Sequence, residues 1–152
     1  MAYGVPDGLD CTLKFTDSTV AEYESATQLL LDQVRWSTTL ISVDAWSDHS
    51  QSFGPELLAT LRFLKKLDAS QHRWRPTGMG VRLDPLNDEH WEVARRFCPW
   101  SIHADFWTDD YVAAAAQVHD ASEVVFASSC VRDANRLRVD LPKSVSIAEW
   151  SR

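Results

Sequence analysis

His103, Asp105 and Trp107 lie two residues apart, the spacing that puts side chains on one face of a strand. They sit in the segment 100–129, WSIHADFWTDDYVAAAAQVHDASEVVFASS, which predicts three short strands joined by tight turns at Asp109-Asp110 and Asp120-Ala121. A two-residue first turn pairs Trp107 with Val112, Asp105 with Ala114 and His103 with Ala116. The second turn pairs Val118 with Glu123 and Ala116 with Val125. One face then carries Ile102, Ala104, Phe106, Ala113, Ala115, Val124 and Phe126, and reads as core. The other carries His103, Asp105, Trp107, Val112, Ala114, Ala116, Val118, Glu123 and Val125.

That second face predicts a recognition surface, an alanine floor edged by ionisable groups. Trp107 is the expected aromatic anchor, and Asp105, Asp109, Asp110 and Glu123 would meet basic groups on a partner beside His103. The assignment depends on register, because a slip of one residue exchanges the two faces. The same pairing turns His119 to the opposite face, so His103 and Asp105 are left without a second histidine. A catalytic metal site uses about three protein ligands, so no metal is expected. His119 and Asp120 are chain neighbours, which point to opposite sides of a strand, and Asp120 is read as a turn residue.

A second cluster, Asp44, Trp46, Asp48 and His49, lies where a strand runs into a loop (DAWSDH). Carboxylates beside a histidine can perform general acid–base chemistry when their surroundings move their pKa values apart. No nucleophile has a recognisable context: GxSxG, HExxH and a papain-like cysteine signature are all missing. No glycine-rich turn is present to cradle a phosphate, and no cofactor is expected. Arg73-Trp74-Arg75 is a small basic-aromatic element, read as a loop whose tryptophan folds back on the core.

The 152-residue chain has the length of one domain, expected over 1–152 with a loose terminus at 1–9. Its net charge of −7 argues against nucleic acid, which requires a basic footprint, and against anionic lipid. The same charge suits a basic protein partner, met by electrostatic steering as a monomer or small homo-oligomer. Cys11, Cys98 and Cys130 are too few and too separated for a disulfide framework or a zinc knuckle. The opening MAYGVPDGLD lacks the basic and apolar regions of a signal peptide, so a cytoplasmic location is expected. Seven tryptophans are hard to bury completely, and one or two are expected at the surface.

The elements around these clusters follow from periodicity. Strands are predicted over 11–15, 38–45, 81–83 and 145–150, in addition to the central three. Helices are predicted over 19–34, capped by Asp17 or Ser18; from Pro55 to about Leu67; from Asn87 or Asp88 to Phe97; and weakly over 130–139. Pro99 and Pro142 end the last two. Consecutive strands joined by short turns predict an antiparallel sheet with helices on one face, an α+β fold.

Three functions follow as expectations. The first is a small acidic, non-catalytic binding module, with an immunity- or inhibitor-type protein that neutralises a basic toxin or enzyme as its finer form. The second is a small enzyme or ligand-binding domain using Asp44, Asp48 and His49, or His103 and Asp105. A closed pocket with a displaced histidine pKa would mark the second, and a flat acidic surface the first. The third is a structural subunit of a larger assembly, with its tryptophans in a permanent interface.

Overall fold

A computed structural model describes residues 5–72, 80–109 and 111–151. The fold is α+β. Among the described residues seven strands form one antiparallel sheet: β1 (Cys11–Phe15), β2 (Leu40–Val43), β3 (Val81–Leu83), β4 (His103–Trp107), β5 (Ala114–His119), β6 (Glu123–Phe126) and β7 (Val145–Glu149). Their order is β3-β2-β4-β5-β6-β1-β7. The predicted three-strand meander is therefore the centre of a larger sheet.

Among the described residues four helices accompany it: α1 (Val20–Val34), α2 (Pro55–Gln71), α3 (Asp88–Phe97) and α4 (Ala134–Asp140). The cap of α1 is Thr19, one residue later than Ser18. Thr19 Oγ1 accepts from Glu22 N (3.1 Å) while Glu22 Oε1 accepts from Thr19 N (2.9 Å), a capping box that only Thr19 can close. Pro55 opens α2 behind Gly54, and Asn87 caps α3, both as the sequence predicts. Helix α2 runs a full turn beyond Leu67. The weak helical segment 130–139 resolves into a short 3₁₀ turn at Ser128–Cys130 and α4, capped by Asp133.

One core cluster joins the helices to one face of the sheet. It holds Leu30, Leu31 and Val34 of α1, Leu64 of α2, Trp91 and Phe97 of α3, and Leu137 of α4. From the strands it takes Ile41, Val43, Ala104, Phe106, Ala116, Val118, Val124 and Phe126. Ala116 and Val118 were predicted on the opposite face, and both belong here. Phe106 stands between Ile41 and Ala116 on the neighbouring strands and meets Trp91 edge to face at 6.1 Å.

The other face carries no helix among the described residues. The described part of the N-terminal segment is tied to this region: Asp7 N donates to Val112 O (2.9 Å), Ala114 N donates to Asp7 O (3.1 Å), and Pro6 is buried. No helix among the described residues is long and apolar enough to cross a membrane. Of the described tryptophans, Trp36 and Trp46 are largely exposed. The Arg73-Trp74-Arg75 element lies outside the described residues.

Candidate functional site

The register of the meander decides what its second face contains. Strand β4 pairs His103 with His119, Asp105 with Gln117 and Trp107 with Ala114, with an irregularity between Phe106 and Trp107. The expected pairs, His103 with Ala116 and Asp105 with Ala114, do not form. The connection is longer than two residues: Thr108 N and Asp109 N both donate to Ala113 O, and Tyr111 takes a positive φ of 59°. The second turn is nearer to expectation. Asp120 and Ala121 both take positive φ, and Ser122 N donates to His119 O. That closure pairs His119 with Glu123 and Val118 with Val124, one step from the predicted register.

The correction replaces the alanine floor with a polar one. Cross-strand neighbours share a face, so His103, Asp105, Gln117, His119, Glu123 and Val125 stand together, joined from β2 by Ser42 opposite Asp105. His119, expected to face away, lies beside His103.

Asp105 organises the centre. It is nearly fully buried, and its two oxygens are divided between neighbours. Oδ2 lies 2.7 Å from His103 Nε2, and Oδ1 accepts from Gln117 Nε2 at 2.8 Å. A buried carboxylate is tolerable only with such partners. The His103 pKa is raised, chiefly by the bond to Asp105. Burial opposes the rise, and the charges of Asp105, Asp44 and Asp120 reinforce it. The chain of contacts continues outward, with His103 Nδ1 3.4 Å from His119 Nδ1, and His119 Nε2 3.2 Å from Asp120 Oδ2.

Trp107 is not an exposed anchor. It is 5% exposed, its Nε1 donates to Ser42 Oγ at 3.0 Å, and the Tyr111 ring lies 5.4 Å from its own. The aromatic group presented to solvent here is Tyr111, half exposed. Ser42, Asp44, His103, Asp105, Trp107 and Tyr111 line a recess of about 210 Å³. A second recess, of about 440 Å³, adjoins it through Asp44 and Gly80 and is lined further by Asp68 and Trp46. Gly80 (φ +76°) makes the close approach possible, since a Cβ there would lie 3.0 Å from Val43 O and 3.4 Å from Asp44 Oδ1. Burial raises the Asp44 pKa; His103 counteracts this, while Asp105 and Asp68 add to it.

The second predicted cluster does not hold together. Asp44 joins the His103 recess, whereas His49 packs edge to face on Trp100 at 6.0 Å and lines a different cavity with Phe53 and Leu57. Asp48 accepts from Trp46 Nε1 at 3.4 Å. Asp109 and Glu123 are exposed at the rim, and Asp110 lies outside the described residues. Sequence reasoning missed Ser42, Asp68, Tyr111, Gln117, His119 and Asp120. A longer first turn, suggested by the polar run TDDY, would have brought His119 and Gln117 to this face.

No protein-family model, curated protein or solved structure matches the chain.

Proposed function

We propose that the chain is a non-catalytic protein-binding module that takes a basic partner at the two recesses beside the second sheet face. One observation carries this reading. Two adjoining recesses share Asp44, hold Asp105 and Asp68 in their walls, and are flanked by the exposed aromatics Tyr111 and Trp46. Aromatic groups beside carboxylates suit lysine and arginine side chains, which offer an apolar stem and a cationic head. Exposed Asp109, Asp120 and Glu123 extend the acidic character along the rim. A chain of net charge −7 would steer such a partner toward contact. Immunity- or inhibitor-type neutralisation of a basic toxin or enzyme is the finer form of this proposal.

A second reading is favoured by the His103–Asp105 pair at the wall of a recess, which has the form of an acid–base dyad. The recess and the raised His103 pKa are the marks expected of this reading; the binding reading is placed ahead of it on the exposed aromatics that flank the carboxylates of both recesses.

The test is capture from the organism that encodes the chain, using immobilised wild type and a Trp46→Ala/Tyr111→Ala variant. Trp46 is largely exposed and Tyr111 half exposed, so the variant should fold. A basic protein retained at low salt, released as salt rises and lost by the variant is the expected outcome. Retention that ignores salt, or that the variant preserves, would contradict the reading.

A further inference from the structure

The two edges of the sheet are finished differently. At the β3 edge the Gln71 side chain meets the outward backbone groups of Arg82: Gln71 Oε1 accepts from Arg82 N (2.8 Å), and Gln71 Nε2 donates to Arg82 O (2.8 Å). The amide thus stands in for a further strand. The β7 edge has no such guard. Trp150 N donates to Asp10 O (2.9 Å) and Thr16 N donates to Ser144 O (2.9 Å), which fixes the alternation along β7. Ser146 and Ala148 therefore direct their backbone groups to β1, and Val145, Ile147 and Glu149 direct theirs outward. Val145 N is held by a turn, donating to Pro142 O at 2.9 Å. Among the described residues nothing meets Val145 O, or the N–H and C=O of Ile147 and Glu149.

We propose that β7 is the docking edge of a reversible homodimer, in which β7 of a second copy adds antiparallel and joins the two sheets into one. An open strand edge is a template for another strand. Pairing about Ile147 uses nearly all of the free groups. Ile147 N of each copy donates to Ile147 O of the other, and Glu149 N of each donates to Val145 O of the other. Glu149 O alone is left over, at an exposed end, because the turn already holds Val145 N. The charges select a second copy rather than a foreign strand. Lys143 precedes the strand and Glu149 ends it, and both are exposed. Antiparallel pairing sets Glu149 of each copy beside Lys143 of the other, opposite charges at both ends of the ladder. Between them, Val145 to Ala148 (VSIA) holds neither a proline nor a charge to oppose strand addition. One strand against one strand is a small contact, so the dimer exchanges with monomer.

The test is sedimentation of untagged protein over about a hundredfold range of concentration, paired with amide hydrogen exchange at both ends of that range. The expected result is monomer when dilute and dimer when concentrated. The Ile147 and Glu149 amides should exchange about tenfold or more slowly in the dimer, whereas those of Ser146 and Ala148, already bonded to β1, should change little. Glu149→Lys sets like charges together at both ends and should weaken the dimer by about fivefold or more. Adding Lys143→Glu restores opposite charges and should recover it. Glu149→Pro deletes an outward N–H while sparing the bonds to β1, and should weaken the dimer further. If the proline variant does not fold, the charge reversals at these exposed positions decide. The proposal is overturned if the protein stays monomeric throughout, if it dimerises without slowing the Ile147 and Glu149 amides, or if Glu149→Lys dimerises as tightly as wild type.

Discussion

Phe106→Ala should destabilise the protein by about 3–5 kcal/mol, the range for emptying a fully buried aromatic position. Phe106 is completely buried at the centre of the sheet, between Ile41 and Ala116 and against Trp91. Neither lateral neighbour can fill the space. Ala116 is short, and Ile41 is held by its own strand, so the cavity stays open and its lining loses contacts on one side. Domains of this size are stable by about 5–15 kcal/mol, so the loss takes a large share of the total. Urea unfolding should show a much lower midpoint at an unchanged slope. A loss below about 1 kcal/mol would mean that Phe106 does not sit in a rigid core.

Asp105→Ala should be the most damaging change on the opposite face, at about 2–3 kcal/mol. It leaves His103 Nε2 and Gln117 Nε2 without the acceptor they share. His103 retains 24% of its side-chain exposure, so water offsets part of the loss and the effect falls below that of a fully enclosed pair. The control is the double variant Asp105→Leu/His103→Leu. Removing His103 together with Asp105 leaves only Gln117 Nε2 without its acceptor, so the double variant should be more stable than Asp105→Ala in the same urea series. If the single variant is neutral, the buried network does not hold this face together.

Both effects arise from one strand whose alternation was legible from sequence. His103 to Trp107 reads as a strand, and the helices at Pro55 and Asn87 announce themselves through proline and cap chemistry. All of these depend on neighbours within a few residues. The site depended on something less local. The turn at 108–113 contains no glycine and closes over more residues than a two-residue hairpin, and β4 carries an irregularity at Phe106/Trp107. Neither leaves a mark in hydrophobic alternation. A register error there moved Ala116 and Val118 off the core and hid His119 and Gln117. The burial of Trp107 was equally illegible, because Tyr111 and Ser42 reach it only once the sheet is assembled.

The recognition surface and the His103–Asp105–Gln117 network both rest on that register. The most direct test is the set of cross-strand nuclear Overhauser contacts between β4 and β5 in labelled protein. The structure requires contacts from His103 to His119 and from Asp105 to Gln117. Contacts from His103 to Ala116 and from Asp105 to Ala114 in their place would return His119 to the far face and dissolve the site.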